Sequence, residues 1–216
     1  MKKRDAIISI IIGFLIGIFF FIILKNIGIK IPYLQALIIV FPPLSLLGMF
    51  VVSLLGKRFL IILQAGKFVL VGALNTFIDL GVLNILIWLS GMASGVWYSV
   101  FKAISFLIAT TNSYFWNKHW TFGSRASIHR SETRKEDEVL FEKGKKAFVP
   151  KEFSKFLAVT AIGLFINVGI ASFVVNIIGS QFEISKEMWA TIGAFTATLF
   201  AWVWNFLSSK FIVFKK

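Results

Sequence analysis

Two ionisable side chains lie inside long apolar stretches of the sequence, where a charge is costly and often functional. Asp79 follows Lys67 by twelve residues, which places it about 18 Å along a helix from that lysine. Lys102 precedes Lys118 by sixteen residues, or about 24 Å along the next helix. If these two helices are antiparallel, a lysine side chain can span the difference in depth. We therefore expect that Asp79 and Lys102 can pair, either as a neutral lock between helices or as a site for a polar substrate.

Small and polar residues recur around Asp79 at helical spacing. Asn75 lies on the same helix face as Asp79, because residues four apart are neighbours on a helix surface. A second stretch of the chain places Asn167 on the equivalent face, next to Gly163. Asn117 lies near the end of a predicted helix. These amides are candidates for contacting a substrate, and bridging between helices is the alternative.

Lysines mark the ends of four predicted helices at what should be similar depths. A ring of ammonium groups suits an anionic headgroup, since lysine binds phosphate as a compact charge. A topology signal without any ligand is the alternative interpretation. The four positions are Lys67, Lys118, Lys155 and Lys210.

Other kinds of chemistry have little support in the residue inventory. The chain has no Cys and only two His, so it has no thiolate nucleophile and a metal cluster is not expected. It has no phosphate-binding GxxxxGK[ST] motif. Asp79 is the only acid inside a predicted membrane span, so no acid–base pair is visible. We expect no enzyme activity, no cofactor and no metal.

The elements that carry these residues are predicted to be membrane helices. Hydrophobic residues make up 57% of the 216 residues and the mean hydropathy is +0.84, which excludes an ordinary soluble domain and a disordered chain. Six stretches are long and apolar enough to cross a bilayer. They cover residues 6–24, 33–55, 68–89, 96–116, 153–178 and 188–207.

The charge distribution predicts how the helices are oriented. Of 23 Lys and Arg residues, 19 fall at the two termini and in alternate loops, whereas the opposite loops carry 3. Positive residues favour the cytoplasmic side, so both termini are predicted to be cytoplasmic. Trp and Tyr residues fall at the predicted span ends, as expected for membrane–water interfaces. Tyr98 is assigned to the outer interface and Trp120 to the inner one.

The last four predicted helices form an internal repeat. Residues 67–82 and 155–170 are identical at seven of sixteen positions, and Asp79 aligns with Asn167. The helix after each copy ends in a related segment, at residues 117–122 and 209–214. Both copies are predicted to start in the cytoplasm, which makes them parallel repeats; such repeats are common in transporters, with sites at their interface.

The chain divides at residue 67 in this interpretation. Residues 1–66 form an additional two-helix hairpin and an interfacial linker near residues 59–63, whereas 67–216 form a four-helix domain with a cytoplasmic loop at 123–152. The GxxxG spacing of Gly13 and Gly17 permits close helix packing. The Pro42–Pro43 pair should kink the second helix. The fold class is therefore an all-α membrane protein with six transmembrane helices.

Three motifs in the domain from residue 64 to 216 resemble the GtrA-like family. They are Lys67-Phe68 followed by Val71-Gly72-x-x-Asn75-Thr76-x-x-Asp79-Leu80, then Asn112-Ser113-Tyr114-x-x-Asn117-Lys118-x-Trp120-Thr121-Phe122, and finally Asn205-Phe206-x-x-x-Lys210-Phe211-x-Val213-Phe214. The N-terminal hairpin lies outside the usual four-helix pattern of that family.

The resemblance implies a multi-pass protein of a prokaryotic cytoplasmic membrane that flips a polyprenyl-phosphate-linked monosaccharide for cell-surface polysaccharide synthesis. It implies the lipid-linked sugar, membrane lipid and a membrane glycosyltransferase as partners. A homo-oligomer is a further possibility, and the apolar composition excludes a nucleic-acid-binding domain driven by charge. A non-transporting adaptor that recruits or stabilises the glycosyltransferase is the main alternative. A small-molecule exporter is weaker because every Glu lies in a predicted loop.

Overall fold

A computed structural model describes residues 1–57, 60–121, 151–181 and 183–208, without the side chains of 60, 61, 118, 151–157, 202 and 205–208. Six α-helices and no strand occur in these ranges. The helices are α1 (Lys3–Asn26), α2 (Ala36–Leu55), α3 (Leu60–Ser90), α4 (Gly95–Trp116), α5 (Lys151–Ser172) and α6 (Lys186–Ser208). Single π-helical segments follow α4 at Asn117–Thr121 and α5 at Phe173–Ile178.

The six helices coincide with the six predicted stretches. Four of them, α1, α2, α3 and α5, are long and apolar enough to cross a membrane by length and composition. The multi-pass character also explains the apolar side chains that cover the surface of α2, where Ile39 is 76% exposed and Leu47 is 60% exposed. Helix α4 is less apolar because it contains Lys102 and many hydroxyl and amide residues. The full count of six spans stays a prediction.

Neighbouring helices run alternately up and down, so that helices distant in sequence meet at matching depths. Contacts between α3 and α4 pair Asn75 with Asn112 and Asp79 with Lys102, which makes the two helices antiparallel, as predicted. Helix α6 also lies against α3, with its early residue Thr191 beside Asn84. Helix α3 is therefore the element that connects the N-terminal hairpin with the later helices.

Gly13 and Gly17 hold α1 directly against the backbone of α2. A Cβ atom on Gly13 would lie 2.5 Å from the Phe41 carbonyl oxygen, and one on Gly17 would lie 2.7 Å from that of Leu37. The close packing predicted from the GxxxG spacing is therefore confirmed. Both prolines lie inside α2, which continues through them, next to the point where Gly13 contacts Pro42.

Two apolar clusters form the interior, and α3 contributes to both. One cluster joins α1, α2, α3 and the end of α4 around Ile12, Val71 and Leu74, which are fully buried. The other joins α3 to α4, α5 and α6 around Leu83 and Ala194. A large share of the second cluster is alanine, so the helices approach closely and any polar side chain between them is removed from lipid.

The structure adds to one expectation about local placement and corrects another. Residues 60–63 belong to α3, so one continuous helix crosses the predicted boundary at residue 67; the interfacial position of this segment stays a prediction. Tyr98 and Trp120 do not form part of a lipid-facing aromatic belt, since they are 0% and 3% exposed. Their polar atoms find partners inside the protein, so the rings are buried between helices and do not face lipid.

Candidate functional site

A buried ion pair between Asp79 and Lys102 lies between α3 and α4. The Lys102 ammonium donates to one carboxylate oxygen of Asp79, and the Ser105 hydroxyl donates to the other at 2.6 Å. Across the bundle, the Thr198 hydroxyl of α6 lies 3.4 Å from the oxygen that Lys102 contacts. Lys102 is 0% exposed and Asp79 is 4% exposed. The pair predicted from helix depth therefore forms, and it brings three helices to one carboxylate.

Local sequence explains why this pair can exist in an apolar setting. Ser105 is three residues after Lys102 and lies on the same side of α4, so the helix presents a cation and a hydroxyl together. An unpaired charge would be strongly unfavourable here, whereas opposite charges with hydrogen bonds offset part of the desolvation. The result is a neutral but strongly polar centre of about four side chains, which can exchange hydrogen bonds with a polyhydroxylated ligand.

Amide side chains extend the polar track on both sides of this centre. Toward the α3–α4 loop, Asn84 accepts a hydrogen bond from Asn26 at 2.7 Å and donates one to Thr191 at 3.1 Å. Toward the other end, Asn112 donates to Asn75 at 2.9 Å and accepts from the Trp116 indole at 3.0 Å. The predicted site residue Asn75 therefore lies in a helix-bridging network one turn from Asp79.

Asn167 lies on α5, and no hydrogen bond joins it to the Asp79 centre within the described residues. It is 1% exposed, and its carbonyl oxygen Oδ1 has no hydrogen-bond partner within the described residues. One turn earlier, Gly163 faces Phe106 and Trp204, each 3.5 Å from where a Cβ atom would be. A buried acceptor without a partner is costly, so a donor that reached Asn167 Oδ1 would offset that cost.

Contacts occur at corresponding positions of the two copies of the predicted repeat. When the first helices of the two copies are aligned so that Asp79 matches Asn167, Asn84 matches Ser172. When the second helices are aligned through their final segments, at residues 117–122 and 209–214, Thr191 matches Ser99. Asn84 contacts Thr191 at 3.1 Å, and Ser172 contacts Ser99 at 2.7 Å. Each hairpin therefore contacts the other through an equivalent pair of polar side chains.

The predicted lysine ring can be followed only at Lys67. The side chains of Lys118 and Lys155, and the whole of Lys210, lie outside the described residues. Lys67 is 8% exposed, and its ammonium nitrogen lies 2.5 Å from a carboxylate oxygen of Asp5. The same Asp5 oxygen accepts the Trp120 indole N–H at 2.9 Å, and the ammonium lies 5.2 Å from the centre of the Trp120 ring. Lys67 is thus held by the N-terminal helix.

The sequence prediction missed Asp5 because it counted only acids inside the apolar spans. A signal was present: Asp5 and Asp79 are the only acidic residues before Glu132. Each of these two acids forms a buried ion pair with a lysine in the structure. An isolated acid within the basic N-terminal segment is thus informative about packing. Ser105, Thr198 and Asn84 were also missed, since neutral polar residues are frequent in helices that pack in membranes.

Asn117 begins the π-helical segment that follows α4 and that also carries Trp120. Its amide nitrogen donates to Ser113 at 3.2 Å, whereas its oxygen Oδ1 has no partner within the described ranges. Arg4 donates to the carbonyl oxygen of His119 in the same segment at 2.6 Å. No three acidic or histidine side chains cluster anywhere in the described part of the chain, so a metal centre has no support there.

A comparison with family models identifies the family of this domain. Residues 67–214 match the model described as the GtrA/DPMS transmembrane domain. The matched range begins at Lys67 and includes both Asp79 and Lys102. Neither the curated proteins nor the solved structures contain a match to the chain. The matched range covers more than half of the chain and leaves α1 and α2 outside it. The chain therefore belongs to the GtrA/DPMS transmembrane domain family, as a multi-pass membrane protein with a role in lipid-linked sugar handling.

Proposed function

We propose that this protein translocates a polyprenyl-phosphate-linked monosaccharide across the cytoplasmic membrane of a prokaryote, for the synthesis of a cell-surface polysaccharide. The observation that carries the proposal is the buried Asp79–Lys102 pair with Ser105 and Thr198. Ionisable residues inside a membrane domain are costly and often mark the path of a polar substrate. Family membership supplies the class of substrate, a sugar linked to a lipid.

The polar centre suits a sugar because its hydrogen bonds can be exchanged for those of hydroxyl groups. Carboxylate oxygens accept from sugar hydroxyls, and Lys102 donates to them. Ser105 and Thr198 lie where such hydroxyls would compete for the same carboxylate. Asn75, Asn117 and Asn167 lengthen the route, while the prenyl chain stays in lipid. Because the pair is neutral overall, the sugar meets a polar surface without a net charge in the membrane.

The lysines at the predicted cytoplasmic helix ends would hold the phosphate. Lys67 is the member whose surroundings are described, and it lies at the first residue of the family domain. Lys118, Lys155 and Lys210 complete the proposed ring. The matching contacts of the two repeat copies, Asn84–Thr191 and Ser172–Ser99, favour a substrate path along the interface of the two hairpins.

The test is transport by purified protein in liposomes. Tritiated citronellyl-phosphate-linked glucose, galactose and mannose are supplied outside the vesicles, and the trapped label is counted. Uptake above that of empty vesicles is expected for at least one sugar. Asp79→Asn should reduce that uptake at least about tenfold, a change of about 1.4 kcal/mol in the barrier. Glu187→Gln removes an equal charge near the start of α6, outside this site, and should transport normally.

A neutral double variant separates the roles of the pair. Asp79→Leu with Lys102→Met restores electrical neutrality and removes the polar centre. A translocating site predicts a folded but inactive protein. Full uptake by the double variant would show that the pair only locks the helices. Absence of uptake by the wild type would exclude translocation by this protein alone and favour the alternative, an adaptor that recruits or stabilises a membrane glycosyltransferase.

A further inference from the structure

We infer that the N-terminal helix α1 carries an internal competitor for the phosphate site: the Asp5 carboxylate occupies the position that an anionic phosphate oxygen would take against Lys67 and Trp120. The inference rests on the proposed headgroup role of Lys67 and adds a regulatory function for a hairpin that lies outside the family domain. A phosphate-bearing lipid must displace Asp5 to reach Lys67. The Asp5 contact is therefore a latch that keeps the empty site closed and neutral.

The geometry of the contact is that of a small anion site. Two donors converge on a single oxygen, Asp5 Oδ1: the Lys67 ammonium at 2.5 Å and the Trp120 indole N–H at 2.9 Å. Both donors come from the family domain, and the acceptor comes from α1. Asp5, Lys67 and Trp120 are 4%, 8% and 3% exposed. A phosphate oxygen carries the same kind of charge as the carboxylate and can accept the same two hydrogen bonds.

Two buried polar atoms in the π-helical segment that carries Trp120 have no hydrogen-bond partner within the described residues. Thr121 follows Trp120 and is 3% exposed, yet its hydroxyl finds no partner in the described part of the chain. Asn117 Oδ1, one turn earlier, also has no hydrogen-bond partner within the described residues. A carboxylate has two oxygens and a phosphate has more acceptor positions, so a phosphate could also accept from the Thr121 hydroxyl. Asn117 Oδ1 could accept from a sugar hydroxyl attached to the phosphate.

The latch explains why Lys67 can remain a buried cation before a ligand binds. An empty cation site at this depth would be unstable, because an uncompensated buried charge is strongly unfavourable. Asp5 supplies the counter-charge until a ligand arrives. Because Asp5 competes with the ligand for Lys67, the apparent affinity for the ligand is lower than that of the open site. Arg4 binds the His119 carbonyl beside it and keeps the start of α1 in register with the π-helical segment.

The first experiment compares ligand binding by wild type and Asp5→Asn in lipid nanodiscs. Asparagine keeps the size of the side chain and an acceptor for Trp120 but removes the charge. We expect farnesyl phosphate to bind Asp5→Asn at least about tenfold more tightly than wild type. Asp5→Glu retains the competing carboxylate and should not show this gain. Farnesol and inorganic phosphate are the comparison ligands, and a gain for farnesyl phosphate but not for inorganic phosphate identifies a lipid headgroup as the source of the anion.

The Lys67→Met change tests whether the gain depends on the lysine. In the Asp5→Asn background it should abolish the increase in affinity. One contrary result is that wild type and Asp5→Asn bind farnesyl phosphate equally well and that Lys67→Met abolishes binding in both. This result would overturn the latch and leave the headgroup site of the proposed function intact. An increase that persists without Lys67 would also overturn the latch. Absence of farnesyl phosphate binding to every variant would overturn both the latch and the lysine site.

A second measurement uses wild-type protein, so that it does not depend on the folding of Asp5→Asn. The chain is labelled with 5-fluorotryptophan, and the Trp120 signal is assigned by Trp120→Phe. Displacement of Asp5 exchanges the carboxylate acceptor of the Trp120 indole for a phosphate oxygen, so farnesyl phosphate should shift that fluorine signal and farnesol should not. A Trp120 signal that is unchanged at saturating farnesyl phosphate would show that Asp5 stays in place and would overturn the proposal.

Discussion

The Asn84 amide of α3 donates a hydrogen bond to the Thr191 hydroxyl of α6 at 3.1 Å, although 107 residues separate them. Asn84 also accepts from Asn26 of α1 at 2.7 Å. One fully buried amide therefore joins the N-terminal hairpin, the first core helix and the last core helix. This junction lies about one and a half turns from Asp79 along α3, so it joins α6 to α3 near the polar centre.

A double-mutant cycle at this junction should detect a modest coupling. Asn84→Leu and Thr191→Val each remove one partner, and the coupling energy should be about 0.6 kcal/mol, the average for hydrogen bonds between membrane helices. The measurement is unfolding in mixed micelles with increasing SDS. Zero coupling would show that the contact does not hold α6 to α3. Thr111→Val, on the exposed side of α4, is a control that should not couple with Asn84.

Removal of one charge of the Asp79–Lys102 pair should be more damaging than removal of both. Asp79→Asn leaves Lys102 buried without a counter-charge, and the free energy of unfolding should fall by about 3–5 kcal/mol. Asp79→Leu with Lys102→Met should recover most of that loss, because no charge is left buried. SDS unfolding of the three proteins tests this. A double variant less stable than Asp79→Asn would contradict the explanation.

The contact between α1 and α2 should be sensitive to a single methyl group. Gly13→Ala places a Cβ 2.5 Å from the Phe41 carbonyl oxygen, so the helices must separate. The expected loss is about 1–3 kcal/mol of unfolding free energy. Gly48→Ala is the matched control on α2, since nothing lies within 4 Å of its Cβ. It should leave stability unchanged or raise it slightly. Equal effects of the two substitutions would exclude steric contact as the cause.

Tyr98 should contribute through its hydroxyl as well as its ring. The hydroxyl donates to the Ala190 carbonyl oxygen at 3.0 Å, and the side chain is fully buried. Tyr98→Phe removes that bond and should lower the free energy of unfolding by about 1 kcal/mol. Tyr33→Phe is the comparison, because Tyr33 is 86% exposed. Equal stability of Tyr98→Phe and wild type would mean that the hydrogen bond contributes nothing to the packing of α6.

The predicted orientation can be tested directly because the chain has no cysteine of its own. Ser94→Cys and Ser185→Cys lie between helices on the predicted outer side, and both serines are exposed. An impermeant maleimide should label them on intact cells. Ser127→Cys, in the predicted cytoplasmic loop, should be labelled only after the membrane is opened. The reverse pattern would show that both termini lie outside the cytoplasm.

Much of the fold follows from local sequence because a membrane restricts the possible structures. Apolar stretches of about 20 residues must be helices that satisfy their own backbone hydrogen bonds, and short loops make successive helices antiparallel. Those two rules were enough to predict that Asp79 and Lys102 could meet. The spacing of Gly13 and Gly17 also predicted a close helix contact, since only glycine permits the backbone approach that the structure shows.

The sequence by itself determined the membrane class, the helix positions and the residues whose burial is costly. Only the tertiary structure decided which partners satisfy them. It placed Thr198 of α6 beside Asp79, and it paired Asp5 of the N-terminal hairpin with Lys67 of the family domain. The physical reason is that helix periodicity specifies the face of a residue but not the helix that covers that face. Contacts such as Asp5–Lys67 depend on how whole helices pack, and that packing is decided by many small apolar contacts together.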